Sequence, residues 1–356
     1  MSGTDLERPV APGVRLGRVS FVWRPWPVLV TLLLAAAAFL VFCLSVGAGD
    51  FPIGLPRVVA TIAGRGERFD TFVIMDLRLP RALAGLVAGV ALGVSGAITQ
   101  SVARNPLASP DVLGITQGAG AVAVLLLTAS GGAAAAVTGA VGLPAAALAG
   151  GLGTGLLVYL LAWRRGVDGF RLVLIGVSVS AVMQAVTTWL LVTADITDVA
   201  RAQVWLVGSL DGRSPGHAWT ALGCALALLA VVAGAAFQFR PLHFGDEVAA
   251  GLGVRYPVVR AVMLLCAVLL AGVAVSAAGP VPFVALVAPQ AAMRLARCPT
   301  PPLAASGLVG ASLLTGADLA ARTALPVALP VGVVTAAIGG PFLVYLLVRA
   351  NLRKAA

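Results

Sequence analysis

Lysine is almost absent from this chain: of 356 residues only Lys354 is one, and only Ala355 and Ala356 follow it. That excludes the Gly-rich phosphate loop in which Lys and a following Ser or Thr hold nucleotide phosphates, so any ATP that drives this protein binds to another chain. Histidine is nearly as scarce. His217 and His243 are the only two, each near the end of an apolar run, which leaves no His-rich metal centre. The four cysteines, Cys43, Cys224, Cys266 and Cys298, are scattered without a C-x-x-C pair and read as small apolar residues.

Charge is thin as well, at 11% of residues against 60% hydrophobic. Eight uncharged runs cover most of the chain: 27–47, 82–103, 112–163, 172–194, 214–239, 261–293, 298–317 and 323–348. Crossing the hydrocarbon core takes roughly 20 apolar residues, so the runs at 112–163 and 261–293 are too long for one crossing. Ser130, Gly131 and Gly132 divide the first; Gly279, Pro280, Val281 and Pro282 divide the second. About ten transmembrane helices are therefore expected. A membrane barrel is excluded because the runs lack period-2 alternation.

An even number of spans puts both termini on one side. With the ends in the cytoplasm, about twice as many Arg and Lys fall on inner segments as on outer ones, the bias expected of a protein oriented that way. The net charge of +10 then needs no nucleic acid to account for it. Residues 1–26 carry Arg8, Arg15, Arg18 and Arg24 and are expected as a cytoplasmic N-terminal segment before an uncleaved first helix. Residues 27–349 follow as one membrane domain whose longest inner segment is 240–260, and 350–356 form a cytoplasmic tail. The longest outer segment is 48–80.

Three features stand out against this background. Gly85, Gly89 and Gly93 recur every four residues in the second span, followed by Gly96, which gives a helix face without side chains and places that span inside the bundle. Asp318 and Arg322 stand four apart near the outer end of the ninth span, where they can form an ion pair. Arg78 and Arg81 lie at the mouth of span two on the outer side, where positive charge is not expected. With Arg322 they put three guanidinium groups near one entrance, suited to an acidic partner or an anionic solute.

The segment Gly245–Val254 is hydrophilic between two long spans. Asp246 and Glu247 stand where a short helix would begin, Val248, Ala249 and Leu252 are expected to share a face, and Gly251 and Gly253 stop it within two turns. So short a helix is not stable alone and needs a partner's groove to complete it.

Several ordered stretches together resemble the FecCD family, permeases of ABC importers for iron-siderophores, haem and cobalamin. They are Leu77–Arg81, Gly93–Ala97 with Gln100, Arg104–Pro110, Leu113–Ile115 with Gly118 and Ala119, Trp205–Leu210, the acidic segment 245–254, Gly279–Phe283, Ala317–Arg322, Pro330–Thr335 and Gly340–Phe342. The resemblance implies an all-α integral membrane protein with the type II ABC importer permease fold. It implies a dimer with a second permease copy or a paralogue, two ATP-binding-cassette ATPase subunits, and an extracytoplasmic substrate-binding lipoprotein that delivers a ferric siderophore, all at the inner membrane of a bacterium.

By the same resemblance Gly245, Asp246, Glu247, Val248, Ala249, Leu252 and Gly253 are the ATPase-coupling segment. Arg78, Arg81 and Arg322 match positions that pair with acids of the binding protein, and Asn105 and Leu107 match the cytoplasmic gate. Asp168, Gly169 and Phe170 align with a second gate loop but differ from its usual residues. Two further departures are Gln290, where a histidine commonly follows Pro289, and Ala328, where a glutamate is favoured. The expected function is ATP-driven siderophore import without covalent chemistry in this chain. The alternatives are a cobalamin or haem permease within the family, or an ATP-independent secondary transporter using Asp318 and Arg322.

Overall fold

The computed structural model describes residues 13–16, 19–22, 25–49, 51, 53–129, 142–162, 169–324 and 329–355. The expected break at Ser130–Gly132, the Asp168 end of the second gate loop and the departure at Ala328 lie outside the described residues. Apart from a two-stranded antiparallel hairpin, β1 (Gly13–Leu16) and β2 (Val19–Val22), the described chain is helical.

The apolar runs form helices because nothing in them offers the backbone another partner. Without water or a neighbouring strand, the i to i−4 bond is what satisfies each amide in hydrocarbon. The α-helices used below are α1 (Pro25–Gly47), α2 (Leu55–Ile62), α3 (Leu79–Ala103), α4 (Ile115–Thr128), α5 (Leu143–Ala162), α6 (Gly169–Thr193), α7 (Ile196–Val207), α8 (Pro215–Phe239), α9 (Asp246–Gly251), α10 (Tyr256–Ala278), α11 (Val284–Ala296), α12 (Leu303–Thr323) and α13 (Val331–Ala355); of these α2, α7 and α9 are short helices outside those runs. Among the described residues seven helices are long and apolar enough to cross a membrane, and α4, α11 and the Val331–Leu346 part of α13 are shorter apolar ones. The seven spans and three shorter apolar helices fall in the ten stretches where helices were expected.

The division of 261–293 falls where glycine and proline placed it: α10 ends at Ala278 and α11 begins at Val284. The irregular backbone between them is tolerated because Gly279, Pro280 and Val281 are buried in protein. At the C-terminus α13 runs on to Ala355, so the residues expected as a tail up to that point are helical.

α3 is the centre of the bundle. Of its apolar window 83% is buried within the chain, against 17% for α1. It packs on α12, α10, α11 and α8, and its glycine face is turned to α12 and α11. A Cβ on Gly89, Gly93 or Gly96 would fall on the backbone of Gly310, Ser306 or Ala285 respectively. Backbones this close fix α3 relative to α11 and α12. At 25 residues and 1.5 Å per residue, α3 is a rod of about 37 Å from Leu79, where the π-helical stretch Phe72–Arg78 leads into it, to Arg104 at the other end.

Candidate functional site

At the first end of α3, Asp318 is 1% exposed and saturated by two guanidinium groups. Arg81 donates from Nε to both carboxylate oxygens at 3.1 Å and from Nη2 to Oδ1 at 2.8 Å. Arg322, four residues on, places its Nε 3.2 Å from Oδ2, so the expected i,i+4 pair is present. Arg81 also reaches outward, pairing through Nη1 with the exposed carboxylate of Asp211. A carboxylate this buried needs such partners, since an unpaired one would lose its hydration without replacement.

The other donors of Arg322, and those of Arg78, are turned toward α1. Arg322 donates to the Ser45 carbonyl at 3.0 Å, Ser45 Oγ at 2.9 Å and the Ala48 carbonyl at 3.2 Å. Arg78, itself buried, donates to Val46 O at 3.4 Å, Gly47 O at 3.0 Å and Phe51 O at 2.6 Å. The last carbonyls of a helix have no intrahelical donor and carry the negative end of its dipole, so two guanidinium groups there complete α1. The three arginines expected around an entrance are thus brought together, and they are engaged within the chain: Arg78 and Arg322 cap α1, while Arg81 bridges Asp318 and Asp211.

At the other end of α3 the acidic segment forms the short helix its sequence promised. α9 starts at Asp246 and is closed by a Schellman motif: Gly253 N–H donates to Ala250 O at 2.9 Å and Val254 N–H to Ala249 O at 3.0 Å. Gly253 takes the left-handed conformation this closure requires, at φ +77°. The face expected to hold Val248, Ala249 and Leu252 together is divided. Ala249 is fully buried against the bundle, whereas Val248 and Leu252 are exposed, because a helix lying flat on its own subunit turns only one side of each turn inward.

Asp246 also turns inward. Its Oδ1 accepts from Arg104 Nη2 at 2.6 Å and from Arg260 Nη2 at 2.6 Å, and Arg104 Nη2 also contacts the Leu242 carbonyl at 3.4 Å. Arg104 ends α3 and Arg260 lies in the first turns of α10, so one carboxylate ties α9 to two long helices. Glu247, the next residue, is exposed. Arg104 holds the left-handed position at φ +49°, where glycine is usual; Asn105 N–H closes onto Gln100 O at 3.2 Å. For a side chain with a Cβ that conformation costs on the order of 1 kcal/mol, and it aims the guanidinium at Asp246.

Asn105 and Leu107 form the turn that follows. Leu107 N–H donates to Asn105 Oδ1 at 2.9 Å and Ala108 N–H to Asn105 O at 3.1 Å, which leaves Leu107 exposed at the tip. Further along this loop lies the half-buried carboxylate of Asp111, which accepts from Thr116 in the first turn of α4 and whose pKa burial pushes above the ordinary carboxylate value. Between the two ends of α3 lies one buried amide pair. Gln290 Nε2 donates to Gln100 Oε1 at 2.7 Å, and Gln100 Nε2 donates to Leu286 O at 3.1 Å, so the departure at Gln290 joins α11 to α3. Among the described residues no group of three or more His, Cys, Asp or Glu is placed to hold a metal.

Sequence reasoning missed Arg104, Arg260, Asp211 and Ser45 as partners of the residues it singled out. Arg104 was visible as the first residue of the stretch Arg104–Pro110, but the arginines of that side read as orientation charge. Asp211 gave no signal beyond lying near a turn.

A family model described as the FecCD transport family matches residues 35–349. The chain is 40% identical over 326 residues to the ferric enterobactin transport system permease protein FepG of Escherichia coli (strain K12), covering 91% of this chain and 96% of that one. It is 40% identical over 337 residues to a siderophore transport system permease protein, YfhA, of Bacillus subtilis (strain 168), covering 94% and 98%. It is 37% identical over 287 residues to the vitamin B12 import system permease protein BtuC of Yersinia enterocolitica, covering 79% and 83%. A solved structure of a metal-chelate type ABC transporter in an inward-facing conformation superposes with a TM-score of 0.74 at 24% identity, covering 90% of this chain and 99% of that one, and supports the fold.

Proposed function

Since this chain belongs to the FecCD transport family, we propose that it is the membrane permease of an ATP-binding-cassette importer for a ferric siderophore, driven by ATPase subunits that are separate chains. The observation that carries the cargo is its 40% identity, over nearly the whole chain, to permeases named for ferric enterobactin and for siderophore transport. Vitamin B12 is the second reading, on the 37% identity to a permease named for it.

In this reading the chain sits in the bacterial inner membrane with both termini in the cytoplasm, so the Asp246 end is cytoplasmic and the Asp318 end faces the binding protein. Residues 27–349 are the permease domain. The subunit works beside a second permease, a copy or a paralogue, on two ATPase subunits. The segment Gly245–Gly253 enters a groove of the ATPase with Glu247, Val248 and Leu252, the side chains it leaves exposed. The six-residue helix is anchored on its own subunit through Ala249 and Asp246, so a load on its exposed side is passed to the bundle.

Closure of the ATPase dimer on ATP moves α9, and α3 and α10 carry that displacement into the bundle. Asn105 and Leu107 lie at the cytoplasmic mouth directly after α3 and form the gate. At the opposite face a loaded binding lipoprotein docks over Arg78, Arg81 and Arg322. Arg81 is the first contact there because its partner Asp211 is exposed and exchangeable. No bond is made or broken in this chain; ATP is hydrolysed in the partner.

Uptake of radiolabelled ferric chelates and cobalamin by a strain lacking this chain, with and without a plasmid copy, tests the reading. Loss and restoration of ferric siderophore uptake with cobalamin uptake intact is the expected result. Loss of cobalamin uptake alone would move the cargo to the second reading, and loss of neither would overturn the importer.

A further inference from the structure

The two acids that open α9 are adjacent in sequence and differ in surroundings. Glu247 projects to solvent, whereas Asp246 is turned back and shared between Arg104 and Arg260, both at 2.6 Å. From this geometry we infer that Asp246 is a positioning residue, an internal latch that joins the short helix to α3 and α10, and that the ATPase is contacted by its neighbours. The inference rests on the coupling role proposed above.

Three observations converge on it. Two guanidinium groups of its own chain converge on Asp246 Oδ1 and fix the direction of the carboxylate toward the bundle, so reorienting it to a partner would break two charge-assisted bonds. Arg104 is held left-handed to reach it, a conformation in which glycine would be easier, so the side chain has a use that offsets the backbone cost. The two helices it joins are also among the most enclosed of the bundle. α3 and α10 pack against each other, and α3 is fixed by its glycine face to α11 and α12. A displacement of α9 entering through Asp246 therefore reaches the interior directly. One entering only through the exposed Val248 and Leu252 would be dissipated in a helix anchored by a single buried side chain, Ala249.

The test uses the full permease expressed with its ATPases and binding protein, measuring three quantities: ATPase that co-purifies, ATP-driven uptake, and the thermal midpoint of the complex. Asp246→Asn is expected to retain the ATPase in wild-type proportion and to lower uptake roughly tenfold, while Glu247→Arg lowers the amount of ATPase retained. Arg104→Gly removes one arm of the latch and relieves the left-handed backbone. It is expected to lower uptake with the midpoint unchanged or raised, a combination that a merely structural role would not give. The double variant is expected to transport no worse than Asp246→Asn alone, because residues of one network are not additive.

Asp246→Asn that sheds the ATPase as Glu247→Arg does would make Asp246 a partner contact and overturn the inference. So would wild-type uptake in Asp246→Asn, or losses that multiply in the double variant. Failure of the wild-type chain to retain any ATPase would overturn the parent reading instead, and is recognised without any variant.

Discussion

The two ends of α3 are built from the same parts, a carboxylate between two arginines, yet they sit in different environments. Asp318 is 1% exposed and its partners Arg81 and Arg322 are largely enclosed. Asp246 has a side chain 36% exposed, facing Arg104 at 53% and Arg260 at 15%. The first is a cluster that holds helices together, since any loss strands a buried charge. The second is part-exposed and costs little to break and remake, as the latch proposed for it requires. Burial, more than the identity of the residues, separates a structural ion pair from one that can move.

Stability measurements on single substitutions sharpen that contrast. Asp318→Asn should have the largest effect: removing one member of a buried pair costs about 3–5 kcal/mol, seen as a large fall in thermal midpoint or as loss of the protein from the membrane. A loss below about 1 kcal/mol would put Asp318 in the same class as a solvated pair and erase the difference between the two ends.

Gly96→Val tests the rod between them. The added side chain meets the Ala285 backbone, and overpacking of this kind costs about 1–3 kcal/mol, with uptake falling because α3 and α11 separate. Thermal unfolding in detergent reads the first effect and vesicle uptake the second. Wild-type values for both would mean that the glycine face is not needed.

Asp246→Asn should cost no more than about 1 kcal/mol of stability, the range of part-exposed pairs, in spite of its effect on transport. A midpoint loss as large as that of Asp318→Asn would show that the two ends are energetically alike.

The smallest effect concerns Asp111, in the loop beyond Arg104. Its pKa is raised from the ordinary 3.8 by burial, so the folded chain binds the proton more readily than the unfolded one. The sign follows: stability is greatest below the unfolded value and declines as pH rises through the folded one. Asp111→Asn should raise the thermal midpoint at pH 7 and raise it less at pH 5, as followed by unfolding at the two pH values. A gain independent of pH would exclude this cause.

Much of the fold was legible because hydrocarbon leaves the chain few choices. Run lengths, the Gly279–Pro282 break and the glycine face gave the spans, one helix boundary and the enclosed position of α3. The short helix at 246 was legible from its acidic start and its glycine stop. What could not be read was direction and pairing. Nothing in the pattern shows that Ala249 faces inward while Val248 does not, or that Asp246 is turned toward Arg104 and Arg260. Those contacts are 142 and 14 residues apart in sequence, and only tertiary packing brings them together. Arg78 and Arg322 were likewise legible as unusual charges at one end, but their use as caps for α1 depends on where the carbonyls of Ser45, Val46, Gly47 and Ala48 come to rest.

The central claim, that motion in this chain is borrowed from an ATPase, is tested most directly by uptake of a ferric siderophore into sealed proteoliposomes with binding protein present, comparing permease alone with permease plus its ATPases and ATP. Accumulation only in the second preparation, abolished when a non-hydrolysable ATP analogue replaces ATP, is the result predicted. Uphill accumulation by the permease alone would contradict the account.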